Sequence, residues 1–239
     1  SGNEGHVAYA PDGKQMVFLR GIGDVVVLDL TSKQEKVVAQ GYLDGPPPLT
    51  TGGLFAWSPD SRNIAFLDQK GGLFPNAWVV AAAGGTPRQV SFLANSFDAE
   101  LNWSPDGKYL LFQTAQRTEP SRIARINLTP ELPLFREDLF HDLFEVTPHP
   151  RGGRNAGEEA APQPPAATPP IVYDGIAQRA ELLPMLNARS PRISPDGKWL
   201  AYIGSEGGTS NIYVVSLDPK APLEGVADNP SERAPKQLT

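Results

Sequence analysis

Three sets of residues in this 239-residue chain could do chemistry: the three histidines His6, His141 and His149, a Ser–Asp pair that recurs along the sequence, and the scattered carboxylates. Zinc needs three or four ligands held on one small surface. His141 and His149 stand eight residues apart across Pro148 with no carboxylate at a ligand spacing, so no metal site is expected. Acyl transfer needs a serine activated by a histidine and faced by an oxyanion hole. No Gly-x-Ser-x-Gly elbow is present, nor a His-Glu-x-x-His pair, a phosphate-binding loop or an EF-hand loop. Cysteine is absent, which removes thiolate chemistry, thiolate metal ligation and disulfides together. Glycoside hydrolysis needs two facing carboxylates. Here Asp and Glu cluster in turns and in one irregular stretch. No catalytic residue, metal or cofactor is therefore expected.

The recurring Asp calls for another account. YAPDGKQMVF from Tyr9, WSPDSRNIAF from Trp57, WSPDGKYLLF from Trp103 and ISPDGKWLAY from Ile193 are four copies of one statement. Pro fixes φ for the second position of a type I turn, Ser or Asp accepts a backbone N–H inside it, and Gly tolerates the positive φ that sends the chain back. The unit is a β-hairpin, and Asp12, Asp60, Asp106 and Asp196 are expected to be turn formers. Two copies depart from the pattern: Ala10 replaces Ser, and Ser61 replaces Gly. A non-Gly residue at positive φ costs about 1 kcal/mol, so the second turn is expected to take another type.

The strand after each turn is apolar on both faces. Met16 and Phe18, Ile64 and Phe66, Leu110 and Phe112, Leu200 and Tyr202 form a large column; Val17, Ala65, Leu111 and Ala201 form a smaller one. Such strands are buried from both sides. A third strand follows each hairpin (DVVVLDL, NAWVVAA, SRIARINL, NIYVVSL). A fourth follows in QEKVVA, RQVSF and PKQLT. The turn prolines Pro11, Pro59, Pro105 and Pro195 are spaced by 48, 46 and 90 residues, the last gap being one repeat plus an insertion of about 44. Four strands per repeat of this length is the pattern of propeller blades, each covering its neighbour's apolar face. The expected fold is all-β, with four-stranded antiparallel blades over residues 6–40, 54–92, 99–184 (interrupted at about 129–170) and 189–239.

These repeats resemble the TolB-like, WD-type β-propeller repeats found in TolB and in the propellers of tricorn-like proteases; similar repeats stand next to amidohydrolase domains. The order FREDLFHDLF, a proline-rich spacer, DGIAQRAELLP and then a SPDG hairpin is most similar to the tricorn-like group. The resemblance implies a non-catalytic propeller module of an exported, periplasmic or secreted, multidomain protein, in which it admits substrate or binds a protein. A TolB-like periplasmic scaffold and a propeller appended to an amidohydrolase are the alternatives it leaves open. Such propellers have six or more blades, so the four here are expected to be an arc of a larger ring. Its end faces would then be apolar and available to another copy.

The insertion has three parts. From Glu131, ELPLFREDLFHDLFEV puts Leu132, Phe135, Leu139, Phe140, Leu143 and Phe144 on one side at helical spacing, with charged residues on the other. Its Phe/Leu face, with Phe135, Leu139, Phe140, Leu143 and Phe144, is the candidate partner-binding surface. From Thr147 a stretch rich in Pro, Gly and Ala has almost nothing to anchor a core. From Ile171 strand character returns and should supply the third blade's outer strand. Arg125 falls where other copies carry Val27, Val79 and Val214; it is expected to point toward solvent or the insertion and to pair with a carboxylate there. Asn127-Leu128-Thr129 matches a glycosylation acceptor but precedes Pro130 at a strand end, and is read as chance.

The bulk properties set the remaining bounds. The net charge is −6 and no Lys/Arg cluster exists, which excludes a nucleic-acid or acidic-membrane surface. The longest apolar run, AWVVAAA, has seven residues against the roughly 18 needed to span a bilayer. The start, SGNEGH, has no signal-peptide pattern. Partners are therefore expected among proteins and peptides.

Overall fold

The computed structural model describes residues 4–43, 53–69, 74–94, 97–115, 118–130, 168–206, 208–217 and 235–239. They form four antiparallel meanders of four strands each. Sheet 1 holds β1 (Glu4–Tyr9), β2 (Gln15–Arg20), β3 (Asp24–Asp29) and β4 (Glu35–Gln40). Sheet 2 holds β5 (Phe55–Trp57), β6 (Asn63–Asp68), β7 (Asn76–Ala81) and β8 (Arg88–Gln89). Sheet 3 holds β9 (Phe97–Trp103), β10 (Tyr109–Ala115), β11 (Arg122–Asn127) and β12 (Ala180–Leu182). Sheet 4 holds β13 (Arg189–Ile193), β14 (Trp199–Glu206), β15 (Thr209–Ser216) and β16 (Lys236–Gln237). A 3-10 turn, Ile176–Arg179, precedes β12.

Sheets 2 and 3 each turn one face to the sheet before and the other to the sheet after. Sheet 3 shows this most clearly. Leu110, Phe112, Ala124 and Ile126 belong to a core shared with sheets 1 and 2, whereas Tyr109, Leu111 and Ile123 pack with Leu200, Tyr202 and Val215 of sheet 4. The large column of the sequence thus points backward along the chain and the smaller column forward. Ile64, Ala65, Leu110, Leu111, Phe112 and Leu200 are fully buried, as expected of strands covered on both sides. The first strands β1, β5, β9 and β13 lie beside one another in that order.

The third sheet is completed from beyond the insertion, as expected. Ala180, Glu181 and Leu182 pair with Ile126, Arg125 and Ala124. The two ends of the excursion are tied together, because Val172 N donates to Leu128 O at 2.9 Å. The expected amphipathic helix and the Pro-rich stretch lie outside the described residues.

The second turn does not take another type. Ser61 occupies the left-handed position at φ 61°, beside Gly13, Gly107 and Gly197 at 69°, 75° and 74°. The offset comes from a neighbour: Ser61 Oγ accepts from Asp12 N in the first turn at 3.1 Å. The two departures from the motif sit on the two turns that this bond joins.

Candidate functional site

The repeated Asp is engaged inside its own turn. In the third copy Ser104 Oγ donates to Asp106 Oδ1 at 2.7 Å, Asp106 Oδ1 accepts from Lys108 N at 3.1 Å, and Ser104 Oγ accepts from Tyr109 N at 3.0 Å. The second and fourth copies repeat this network through Ser58–Asp60 (2.6 Å) and Ser194–Asp196 (2.5 Å). In the first, Ala10 lacks the hydroxyl and Asp12 Oδ1 accepts from Lys14 N alone at 2.9 Å. In all four the backbone closes the turn, with the fourth residue's N–H donating to the first residue's C=O. The Ser194 hydroxyl and the Lys198 amide hold Asp196 below its ordinary value of 3.8. A Ser and an Asp that satisfy one another this fully are a structural pair.

Two places on the described residues bring reactive side chains together without such an explanation. The first is an open cleft of about 440 Å³ lined by Asp60, Arg62 and Asn63 of the second turn and by Thr168, Pro169, Pro170, Ile171 and Tyr173. It exists because the chain returning from the insertion docks here. A Cβ on Gly107 would fall 2.3 Å from Thr168 Cγ2, so that turn's glycine makes room for Thr168. The Arg88 guanidinium lies 3.6 Å from the Tyr173 ring centroid. Burial raises the Tyr173 hydroxyl, partly opposed by Arg88. Thr168 Oγ1 is buried without a hydrogen-bond partner.

The second place is the row of first strands. His6, Glu100 and Ser190 all have positive φ, at 54°, 57° and 51°, and each stands five residues before its turn proline. In β1, β9 and β13 the pairing register slips at this point. These are β-bulges, which re-aim side chains at a strand edge. Glu100 Oε2 lies 2.7 Å from Arg192 Nη1 across sheets 3 and 4, and Asn102 Nδ2 donates to Pro191 O at 2.9 Å. In sheet 2 the equivalent residue is Leu54, and β5 begins after it.

Among the expected residues, Arg125 finds its carboxylate. Its Nε is 3.5 Å from Glu181 Oε1 and donates to Asn127 Oδ1 at 2.8 Å, and the guanidinium sits 4.2 Å from the Tyr109 ring centroid. Asn127 of the glycosylation-like triplet is thus occupied by Arg125. His6 lies in β1, far along the chain from His141 and His149, which fall outside the described residues together with Phe135, Leu139, Phe140, Leu143 and Phe144. Among the described residues no three metal-ligating side chains gather, and no helix is long and apolar enough to cross a membrane. Sequence reasoning did not foresee the cleft or the Glu100–Arg192 pair. The pair had a signal: aligned on the turn prolines, three copies carry a polar residue at the bulge. The cleft had none, because Thr168 and Tyr173 are placed by a tertiary docking event.

Neither a protein-family model nor a curated protein sequence matches the chain. Solved structures do. TolB from Acinetobacter baumannii superposes with a TM-score of 0.55 at 13% identity, over 90% of this chain and 41% of that one. A protein described as TolB from Agrobacterium tumefaciens gives 0.54 at 18% identity, over 95% of this chain and 63% of that one. The tricorn protease gives 0.51 at 14% identity, over 99% of this chain and 27% of that one. Four radially stacked meanders with their first strands in a row leave one architecture. The fold is a β-propeller fold. The four sheets are its blades, of the kind that TolB and the tricorn protease contain, and the first strands are the inner strands. The chain spans about two fifths to two thirds of the TolB structures and about a quarter of the tricorn protease chain.

Proposed function

We propose that this chain is a non-catalytic propeller module that binds proteins or peptides on behalf of a larger exported protein. One observation carries it: the repeated Ser–Asp pairs, the chain's most reactive-looking motif, are hydrogen-bonded within their own turns. What remains is a platform of four stacked sheets that carries the insertion. The insertion leaves and returns at a fixed point beside the second and third turns, as a recognition loop on a scaffold does. By likeness to the tricorn protease propeller, the finer role is substrate admission for a protease domain. The TolB structures favour a second role, a periplasmic interaction scaffold. In either, the Phe135, Leu139, Phe140, Leu143 and Phe144 face is the partner-binding surface, and a second copy is one further partner.

The experiment is a capture assay from periplasmic extract with the 239-residue chain. Phe140→Asp with Leu143→Asp is expected to abolish capture while leaving the circular dichroism spectrum and Tm unchanged. Undiminished capture would remove the insertion from the binding surface. Steady turnover of a peptide or glycoside panel by the chain alone would overturn the non-catalytic reading.

A further inference from the structure

Arg20, Arg125 and Arg192 each face a carboxylate: Glu4 and Glu35 at 3.0 and 2.8 Å, Glu181 at 3.5 Å and Glu100 at 2.7 Å. Arg62, Arg88 and Arg179 face none among the described residues. All three are gathered at the cleft beside the second turn. Arg62 lines it. Arg88 lies over the ring of Tyr173, which also lines it. Arg179 Nη2 donates to the carbonyl of Val172, between the lining residues Ile171 and Tyr173, while its Nε is buried without a hydrogen-bond partner. The three come from the second hairpin turn, the outer strand of the second blade and the 3-10 turn after the insertion. A chain with no Lys/Arg cluster in its sequence thus has one in space.

The acidic side chains here are fewer, and one is engaged. Asp60 Oδ1 accepts from Ser58 Oγ at 2.6 Å and from Arg62 N at 3.1 Å. Asp174, next to Tyr173, brings a second negative charge against three guanidinium groups, so the local balance is positive in a chain of net charge −6. The cleft also holds an uncharged donor, since Thr168 Oγ1 is buried without a hydrogen-bond partner. An unpaired buried hydroxyl costs free energy that a bound acceptor restores. The wall formed by Pro169, Pro170 and Ile171 is apolar, and the open space measures about 440 Å³.

We propose that this cleft binds an acidic peptide segment, with a Glu or Asp side chain taken by Arg62 and its neighbouring guanidinium groups and the peptide's hydrocarbon laid along Pro169, Pro170 and Ile171. A guanidinium matches a carboxylate through paired N–H donors. A free inorganic anion would use the cations and leave the apolar wall bare. A neutral peptide would use the wall and leave the cations unpaired. A nucleic acid needs a longer run of cations than three. Arg62 is exposed, so the contact is partly screened and weakens with salt. The inference rests on the peptide-binding reading above for its kind of ligand, but uses none of the insertion's Phe/Leu face.

Fluorescence anisotropy with a labelled, end-blocked peptide of alternating Glu and Pro tests it, at about 50 mM salt, where exposed charges are little screened. The 239-residue chain is expected to bind this peptide, and to bind its Gln–Pro counterpart about tenfold more weakly or worse. Arg62→Gln should weaken binding of the Glu peptide about tenfold and Thr168→Val about threefold. Thr168→Val keeps the side-chain shape against Gly107 and serves where Arg62→Gln lowers Tm. Lys198→Gln, at the same position of the fourth turn, should leave binding unchanged, as should Phe140→Asp with Leu143→Asp, which separates this cleft from the insertion's face. The proposal is overturned by no binding of the Glu peptide, by equal binding of the two peptides, or by a loss in Lys198→Gln or in the Phe140/Leu143 variant equal to that in Arg62→Gln. Displacement by inorganic phosphate or a short oligothymidylate as effective as by unlabelled peptide would overturn it too.

Discussion

At the residue scale, the motif serine joins two strands of a hairpin through one hydroxyl. Ser104 is fully buried, and without its Oγ the Tyr109 amide loses its acceptor. Ser104→Ala is expected to cost about 1–2 kcal/mol in urea unfolding, and Ser194→Ala, in a more open turn, about half that. Ala10 shows that one turn can lack the hydroxyl when its neighbour bonds it. Ser61→Gly removes a left-handed strain of about 1 kcal/mol and a hydrogen bond of similar worth, so its stability should stay near wild type. Ser61→Ala keeps the strain, loses the bond, and should be the less stable of the two in the same assay. Acid sensitivity follows from Asp196 and from Asp29, which is held low first by the Ser32 amide. Both carboxyls lie below 3.8 in the folded state, so their contribution is present above that value and fades as pH falls through the lower folded values. A Tm profile taken from about pH 5 to 2 should flatten in Asp196→Asn and Asp29→Asn.

At the element scale, three turn glycines of nearly equal φ meet different surroundings. A Cβ on Gly13 would touch nothing within 4 Å, on Gly197 it would lie 3.7 Å from Pro105 Cδ, and on Gly107 it would clash with Thr168 at 2.3 Å. All three Gly→Ala variants share a backbone cost of about 1 kcal/mol. Only Gly107→Ala also has to displace the segment that lines the cleft. Its Tm should fall furthest, and hydrogen exchange should rise across residues 168–183 in that variant alone. The Arg125–Glu181 pair sits in the same segment. With Glu181 half exposed, it adds little to stability and acts to set the register of β12.

At the scale of the whole molecule, stability should run unevenly along the stack. Blades in a linear array are held by their neighbours, so a blade with one neighbour opens more readily. The fourth blade, with Trp199 and Ile212 partly exposed, should exchange its amide hydrogens faster than the second, where Ile64, Ala65 and Phe66 are sealed on both sides. Exchange measured by mass spectrometry at low protein concentration gives the ranking directly. Equal protection in the two blades would contradict a linear array of stacked sheets.

The hairpins, the double-sided columns and the blade count were legible in the sequence because each rests on interactions within about ten residues, repeated in phase. Even the outer strand beyond the insertion could be read, since strand character returns in the stretch from Ile171; that Glu181 on this strand is the carboxylate beside Arg125 came from the structure. What only the tertiary structure decided are contacts between repeats: the Ser61–Asp12 bond that lets a serine hold a left-handed turn, the Glu100–Arg192 pair across two bulges, and the seat of Thr168 on Gly107. Only the Glu100–Arg192 pair left a trace, the polar residue at the bulge position of three copies; the partner in every case depends on how far one sheet stands from the next, and that spacing is set by the side chains packed between them.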